Sequence, residues 1–221
     1  MRHSPSWVPS SEVAFIAGLT DKEINRAVDE DVLPHDLVDR EDGRQFARIV
    51  GPFAKFYFAT SNDLSKSLRR SVIEILTHRL MSRGDSEVFL ALHFPLSAFD
   101  WKVKLPFGLI ELSDFVLVGL DRAASVERAN RSITEDPAVM GGVPVFAGTR
   151  VPIEIVTSSK AAGIGDDRLR EAYSFLTSEL IQDAEVYQQV HSRRGRPRKL
   201  ADANPTWKVQ STKIIRPGSS R

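Results

Sequence analysis

The hydrophobic and polar positions begin with two short helical patterns separated by a glycine turn. Residues 10–17 predict a helix with a serine cap, and residues 20–30 predict a second helix. Thr20, followed three positions later by Glu23, indicates a capping box at the start of the second helix. Two helices joined this closely are typical of a helix-turn-helix, whose second helix enters the major groove of DNA. The inner face of that second helix would consist of Leu19, Ile24, Ala27 and Val28.

The middle of the chain predicts one long helix followed by a small sheet. Apolar residues recur at helical spacing over residues 64–80, and Ser61 or Asn62 would cap that helix. Its basic residues are expected on the solvated side, at Arg69, Arg70 and Arg79. Short apolar or alternating runs then predict an antiparallel sheet with strands at 88–92, 101–105, 109–112 and 115–118. Trp101 and Phe107 lie among turns and are expected in the core, with a partner-binding surface as the alternative. Residues 121–130 are expected to form a short helix or charged connector.

Residues 133–152 interrupt the regular patterns with three glycines and three prolines. Their density of apolar residues is too high for a linker, and a structural cap on the next domain is one interpretation. Helical patterns follow at 151–162, at 166–173 and from Thr177 onward, so we predict a three-helix bundle of homeodomain-like or helix-turn-helix type. DNA binding and protein pairing both stay open for this bundle, because phosphate would repel the acids of its third helix, which are Glu179, Asp183 and Glu185.

The net charge of +1 conceals a strongly basic C-terminus. From residue 191 onward the chain has nine lysines and arginines against one acid, so this tail carries +8 and the rest carries −7. Such a tail favours a polyanion or an acidic protein groove as its partner. Its Gly195-Arg196-Pro197 core resembles an AT-hook, whose arginines lie in a narrow minor groove, and a generic basic linker is the alternative. The arginines assigned to DNA here are Arg194, Arg196 and Arg198.

Composition disfavours several classes of protein. Cysteine is absent and the five histidines lack ligand spacing, so we expect no metal and no cofactor. No apolar run reaches the roughly 18 residues of a membrane span, and the N-terminus has no signal-peptide pattern, so we expect a cytoplasmic protein without a membrane partner. No Ser/His/Asp, Cys/His or paired-carboxylate site has a credible context, so we predict no catalytic residue and no enzyme.

Residues 40–46 add a further feature beside the second helix. Asp42-Gly43 between basic residues predicts a small hairpin, or wing. With the two helices and the Gly-Arg-x-Phe step that follows, this arrangement resembles the N-terminal winged-helix domain of MerR-type regulators. A helical hairpin without a DNA role is the alternative, because acids on the second helix oppose DNA attraction. The residues predicted to contact DNA are Lys22, Asn25, Arg26, Arg40 and Arg44.

The segment 136–152 carries the motif Asp-Pro-x-Val-Met-Gly-Gly-x-Pro-Val-Phe-x-Gly-Thr-Arg-Val-Pro. It resembles the family named domain of unknown function 433, whose hallmark is Gly-Gly-x-Pro-x-x-x-Gly-Thr-Arg before a small homeodomain-like bundle. The resemblance covers about residues 130–190. Members of this family look like VapB-type antitoxins of type II toxin–antitoxin pairs, which implies a PIN-like ribonuclease toxin as partner. A Gly-Thr-Arg turn at a helix start can present Thr149 and Arg150 to phosphate, and Arg150 could equally pair with an acid of its own domain.

These patterns predict a mainly α fold with a small antiparallel β-sheet, which is an α+β class. We expect an N-terminal helix-turn-helix or winged-helix domain and a C-terminal homeodomain-like three-helix bundle. The expected divisions are 1–83 for the DNA-binding domain with its long helix, 84–130 for a β-rich segment and connector, 131–192 for the family-433-like domain, and 193–221 for the basic tail.

The predicted function is an antitoxin that neutralises a PIN-like ribonuclease toxin and represses its own operon by binding operator DNA. A homodimer is expected, because such repressors usually bind two-fold symmetric operators. The tail would order on the toxin through apolar anchors and basic side chains, at Trp207, Val209, Lys213, Ile214, Ile215 and Arg216. A stand-alone DNA-binding transcription regulator without a toxin is the alternative.

Overall fold

The computed structural model describes residues 7–40 and 43–191, which form a mainly helical structure with small antiparallel sheets. The predicted α+β class is confirmed. The helices are α1 (Ser10–Ala17), α2 (Asp21–Asp29), α3 (Val50–Ala59), α4 (Lys66–Met81), α5 (Ser86–Leu90), α6 (Ser113–Ser132), α7 (Ile153–Ala161), α8 (Asp166–Ala172) and α9 (Ser178–Val190). The strands are β1 (Val8–Pro9), β2 (Val38–Asp39), β3 (Gln45–Phe46), β4 (Lys102–Leu105), β5 (Gly108–Glu111), β6 (Ile133–Thr134) and β7 (Val145–Phe146).

A left-handed turn joins α1 to α2, and a three-stranded sheet lies beside them. Gly18 ends α1 at φ 61°, a conformation that glycine adopts without steric cost. The predicted capping box is confirmed, because Thr20 N–H donates to the Glu23 carboxylate at 2.7 Å and Glu23 N–H donates to the Thr20 hydroxyl at 3.3 Å. The predicted serine cap on α1 is wrong, since Pro9 holds that position without a side-chain hydrogen bond. Both β1 and β2 pair antiparallel with β3, as the Asp-Gly turn predicts for β2 and β3.

Helix α4 differs from the prediction at its cap and on its polar side. Ser65 accepts the Leu68 N–H at 3.2 Å, so the predicted caps Ser61 and Asn62 are wrong. The expectation that Arg69 is solvated is also wrong, because Arg69 is 7% exposed. Its guanidinium lies 4.3 Å from the centre of the Tyr57 ring and donates to the Tyr57 carbonyl oxygen. A long arginine stem can be buried when its charged end finds such partners.

The predicted four-stranded sheet is wrong in its outer strands. Residues 88–92 lie mostly in α5, and residues 115–118 lie inside α6. Of the four predicted strands, the two in the middle form, as β4 and β5, and they pair with each other. Residues 121–130, predicted as a short helix or connector, continue α6. Residues 115–130 are helical because their buried residues recur every three or four positions, a period that is visible only over the full length of α6. These residues are Val116, Gly119, Ala123, Val126 and Ala129.

One hydrophobic core, here called the N-terminal core, extends from β1 to the first half of α6. Trp101 is buried in it as predicted, and its indole N–H donates to the Leu96 carbonyl oxygen at 3.2 Å. The core prediction is wrong for Phe107, which is 75% exposed at the turn between β4 and β5. The segment 84–130 contributes residues from Phe89 to Ala123 to the same core, so these residues pack together with those of α1 to α4. The largest fully buried side chains of this core include Phe46, Phe53, Phe56, Phe89 and Trp101.

Helix α6 is shared between the N-terminal core and a second one. Its first half packs on α3 and its second half packs on α9. A Cβ atom on Gly119 would lie 2.5 Å from Cγ of Pro52, and a Cβ atom on Gly51 would lie 2.5 Å from Cγ2 of Ile16. Close-packed interiors do not tolerate such contacts, so these two glycines allow α1, α3 and α6 to approach closely.

The second core, here called the C-terminal core, is enclosed by the second half of α6, the β6–β7 pair and helices α7 to α9. Thr177 caps α9 as predicted, by accepting the Leu180 N–H at 3.1 Å. Asp183, one of the three acids of α9 that were expected to repel phosphate, is buried and only 1% exposed. Its carboxylate accepts hydrogen bonds from Arg128 Nε at 2.9 Å and from Ser132 Oγ at 2.7 Å, which tie α9 to α6.

A buried ionic network joins three parts of the fold, which are α1, the segment just before α3, and α6. Arg48 is 7% exposed and donates from Nε to Glu12 Oε1 at 2.7 Å. A terminal nitrogen of Arg48 donates to the Glu127 carboxylate, which is also hydrogen-bonded to Nε2 of His93. Burial raises the pKa of the Glu127 carboxyl, but the hydrogen bonds from His93 and Arg48 outweigh burial and hold that pKa below its usual range. The network therefore keeps Glu127 ionised.

We expect the Glu127→Gln substitution to remove an acid-dependent part of the stability. Because the pKa of Glu127 is lower in the folded state, its carboxylate stabilises the fold above the unfolded pKa, and this contribution is lost as pH falls through the folded pKa. Urea unfolding from neutral pH down to about pH 3 measures it. The difference between wild type and variant should shrink below about pH 4.3, the ordinary pKa of glutamate. Glu171→Gln, at an exposed acid of α8, is the control, and a pH-independent difference for Glu127→Gln would contradict the prediction.

Candidate functional site

Two of the arginines predicted to contact DNA are held by acids on the exposed side of α2. Arg26 Nε lies 2.6 Å from Glu30 Oε1, and a terminal nitrogen of Arg44 lies 2.7 Å from Asp29 Oδ1. The hydrogen bond from Arg26, followed by one from Lys66, lowers the pKa of the Glu30 carboxyl. Glu30 therefore stays ionised beside Arg26.

Asn25 is also engaged on this surface. Its Nδ2 donates to the Asp21 carbonyl oxygen at 2.8 Å, and its Oδ1 accepts from Arg44 at 3.3 Å. The structure thus brings Asn25 and Arg44 together. Lys22 and Arg40 are exposed, and within residues 7–40 and 43–191 neither takes part in an ion pair.

The exposed side of α2 with its neighbours, here called the α2 surface, carries both positive and negative side chains. Helix α4 adds two further pairs to it, Lys66 with Glu30 and Arg70 with Asp31. Exposed ion pairs contribute little to stability, so a DNA phosphate could replace a carboxylate as the partner of an arginine here. The displaced carboxylates would still lie near the phosphates and repel them. The α2 surface therefore suits a few directed contacts better than strong attraction to any polyanion.

The Gly-Thr-Arg motif forms a tight turn between β7 and α7. Gly148 has φ +75°, which a residue with a side chain adopts only with strain. The Thr149 hydroxyl donates to the Phe146 carbonyl oxygen at 2.9 Å and accepts the Val151 N–H at 3.1 Å. Both hydrogen-bonding functions of this hydroxyl are therefore used within the turn, while Arg150 is exposed. The turn closes one end of the C-terminal core.

A cleft of about 760 Å³ lies between the start of α1, the loop before β7, the start of α7 and the end of α9. We call it the junction cleft, because it adjoins a small cluster of Phe15, Val126 and Val190 that links α1, α6 and α9. Among the described residues its lining includes two carboxylates and no lysine or arginine. The lining residues are Pro9, Ser11, Glu135, Val143, Pro144, Ile153, Glu154, Tyr187, Gln188, Val190 and His191.

Tyr187 connects the carboxylate side of the junction cleft to the end of α9. Its hydroxyl donates to Glu135 Oε1 at 3.1 Å, and its ring packs against the His191 ring with centroids 4.2 Å apart. His191 Nε2 is hydrogen-bonded to Asn130 Oδ1 at 2.9 Å. Burial first, and then the charge and hydrogen bond of Glu135, raise the pKa of Tyr187 to about 12. Tyr187 therefore stays a neutral hydrogen-bond donor to Glu135.

The phenolate titration of the folded chain should contain a late step from Tyr187 at about pH 12. A raised pKa means that the neutral phenol stabilises the fold below the unfolded pKa, and that this contribution is lost as pH rises through the folded pKa. Rapid pH jumps with ultraviolet detection measure the step before alkaline unfolding. Tyr187→Phe should remove the step, and Glu135→Gln should move it to lower pH by removing a neighbouring negative charge. A step that stays in place in Glu135→Gln would disprove the contact.

The tail residues predicted to contact DNA or toxin lie outside the described residues, and they are Arg194, Arg196, Arg198, Trp207, Val209, Lys213, Ile214, Ile215 and Arg216. Sequence reasoning missed the junction cleft, because Glu135 and Glu154 are far apart in the chain and neither belongs to a motif with chemical meaning. The one available signal was indirect, since both residues flank the turn-rich segment 136–152.

Comparison with known proteins gives two results. The family model described as "Protein of unknown function (DUF433)" matches residues 133–187, which confirms the resemblance predicted for about residues 130–190. The uncharacterised protein y4eO of Sinorhizobium fredii (strain NBRC 101917 / NGR234) is 32% identical over 206 residues, which is 90% of each chain. The chain belongs to the family of y4eO. The similarity to y4eO is broader than the DUF433 match, and no solved structure matches the chain.

Two further observations concern residues 7–40 and 43–191 of this y4eO-family protein. None of their helices combines the length and apolar character needed to cross a membrane. The same residues contain no group of three or more histidine, aspartate or glutamate side chains arranged to hold a metal ion.

Proposed function

We propose that this y4eO-family protein is a cytoplasmic antitoxin that binds a PIN-like ribonuclease toxin and, as a homodimer, represses its own operon by binding operator DNA. The observation that carries the DNA-binding part is the succession β1–α1–α2–β2–β3, in which α2 is exposed beside an antiparallel strand pair. A helix supported in this way has the size to enter a major groove. The antitoxin part rests on the resemblance of the segment 136–152 to the domain of unknown function 433, whose members look like VapB-type antitoxins.

In this proposal the α2 surface supplies specificity. Lys22 approaches DNA as an exposed cation, and Asn25 offers the amide that suits an adenine edge. Arg26 and Arg44 exchange their carboxylate partners for phosphates or base edges on binding. Arg40 contributes from the strand pair.

The basic tail supplies the general attraction to DNA. The cations of the α2 surface are largely paired with acids, whereas the tail carries +8. Phosphate neutralisation by such a segment dominates non-specific affinity and makes it dependent on salt. Arg194, Arg196 and Arg198 provide these contacts, and the apolar residues near Trp207 and Ile214 bind the toxin. The tail's basic side chains suit the acidic metal-binding site of a PIN-like ribonuclease.

A stand-alone transcription regulator is the second candidate. It is favoured by one observation, namely that the α1, α2 and strand-pair arrangement is packed on the N-terminal core and needs no partner chain to be complete. Co-expression with the neighbouring gene separates the two candidates. The antitoxin predicts growth rescue and a complex on a sizing column, whereas a regulator without a toxin predicts neither.

The toxin part is tested by pull-down of the adjacent gene product with the full chain and with a chain ending at residue 199. We expect the truncated chain to lose binding, because it lacks Trp207, Ile214 and the basic residues around them. A full-length chain in which Lys208 and Lys213 are replaced by Ser tests whether charge or apolar contact dominates. Undiminished binding by the truncated chain would reject the assignment of the tail.

The DNA part is tested by the salt dependence of binding to the upstream region of the gene. Lys22→Ala should weaken binding and lower the log–log salt slope by about 0.9, the value for one phosphate contact. Replacing Arg194, Arg196 and Arg198 by Ser should lower it by up to about 2.7. Lys104→Ala removes the same charge at an exposed position of β4 and is the matched control. Equal effects of Lys22→Ala and Lys104→Ala would exclude the α2 surface as the interface.

A further inference from the structure

Two carboxylates line the junction cleft without a cationic partner among residues 7–40 and 43–191. Glu154, in the first turn of α7, takes part in no ion pair there. Glu135 accepts a hydrogen bond from the neutral Tyr187 hydroxyl, which leaves its charge uncompensated. The cleft therefore combines negative charge with an apolar floor, formed by Pro9, Val143, Pro144, Ile153 and Val190.

The basic tail begins at the wall of this cleft. His191 lines the cleft and is the C-cap of α9, so residue 193 follows only two positions later. A fully extended chain spans at most about 3.5 Å per residue, which keeps residues 193–199 within about 28 Å of His191. This run, Arg-Arg-Gly-Arg-Pro-Arg-Lys, has five cations and no acid. A strongly basic segment is thus tethered within reach of two carboxylates that have no cationic partner among the described residues.

We infer that residues 193–199 bind in cis in the junction cleft, with their arginines paired to Glu135 and Glu154. Guanidinium groups form bidentate pairs with carboxylates, and their aliphatic stems pack on apolar surface. Pro197 favours the extended backbone that a narrow cleft accepts. Attachment at His191 raises the effective concentration of the segment, to the millimolar range for a short flexible tether, so modest contacts suffice for occupancy.

Binding in cis gives the tail two competing partners. The arginines that occupy the cleft include Arg194, Arg196 and Arg198, which the proposed function assigns to DNA. DNA phosphate would therefore have to displace Glu135 and Glu154, which lowers the affinity of the tail for any DNA and leaves the contacts of α2 with an operator unaffected. This competition rests on the proposed function, whereas the docking of the segment does not.

The test uses the full chain, which has no cysteine and accepts a pair of labels cleanly. Ala138→Cys places one spin label on an exposed residue near Glu135 but outside the cleft lining, and Ala201→Cys places the other just after the basic run. Dipolar spectroscopy measures the distance between them. We expect a short, narrow distance distribution that becomes longer and broader when Glu135→Gln and Glu154→Gln are combined, and also at high salt.

Matched controls make the result decisive. Glu87→Gln with Glu171→Gln removes the same charge from exposed acids outside the cleft and should leave the distances unchanged. Distances that do not respond to the Glu135 and Glu154 changes would overturn the proposal. A short distance that vanishes on dilution with unlabelled chain would also overturn it, by assigning the cleft to the tail of a second copy.

Addition of the upstream duplex separates this proposal from the proposed function. Release of the label on DNA addition supports the docking and the competition together. Short distances with no DNA binding in a mobility-shift assay would leave the docking supported and reject the DNA-binding function. A broad distribution before DNA addition, in a chain that does bind DNA, would reject only the docking.

Discussion

Arg48→Met is expected to lower the free energy of unfolding by about 3–5 kcal/mol, the usual cost of removing one partner from a buried ion pair. Glu12 is 4% exposed and receives the Arg48 Nε–H at 2.7 Å, so the substitution leaves a buried carboxylate without its cation. Glu127 would also lose one of its two partners. Urea unfolding at neutral pH measures the loss.

The double variant Glu12→Leu with Arg48→Met separates the effect of an unpaired buried charge from the effect of changing residue 48 itself. Replacement of both partners by apolar side chains of similar size is often close to neutral, so the double variant should be more stable than Arg48→Met alone. Arg170→Met is the control, because Arg170 is exposed and, among residues 7–40 and 43–191, pairs with Asp167 of the same helix alone. If Arg48→Met and Arg170→Met unfolded at the same urea concentration, the network would not hold α1 against α6.

Arg128→Met is expected to cost about 3 kcal/mol, at the lower end of the range for buried pairs, because Arg128 itself is partly exposed. Its loss leaves the buried Asp183 carboxylate with only the Ser132 hydroxyl. Since these bonds tie α9 to α6, amide exchange should accelerate in α9 more than in α4. Hydrogen exchange with mass spectrometry measures the difference.

Two further variants test whether faster exchange in α9 comes from loss of the Arg128–Asp183 pair. Arg131→Met, at an exposed arginine of α6, should leave exchange in α9 unchanged. Asp183→Asn keeps an acceptor oxygen while removing the charge, so it should cost less than Arg128→Met. Faster exchange in α4 and α9 to the same degree would instead mean that the two cores open together.

The sequence predicted those parts of the fold that local chemistry determines. The Thr20–Glu23 capping box, the Thr177 cap of α9 and the DUF433 segment depend on neighbouring residues or on a compact motif, and all three are confirmed. The expected DNA and toxin contacts stay predictions, because their geometry depends on partners or on residues 192–221.

The failures share a cause, which is that long-range packing decides where a side chain lies. Arg69 was expected in solvent and is buried because Tyr57 supplies both a ring and a carbonyl oxygen. Asp183 was expected to repel DNA phosphate and is instead buried, because α6 presents Arg128 and Ser132 to it. The predicted strand at 115–118 is helical, since its apolar residues belong to a period that extends along the whole of α6.

The sharing of helix α6 between two cores also limits where such chains can recombine. Its 20 residues supply side chains to both cores, so a recombination breakpoint inside it would leave each half with an exposed apolar surface. The two halves are therefore expected to be inherited as one piece and not exchanged as separate modules. The similarity to y4eO extends over 90% of both chains, as expected if the two halves are inherited together.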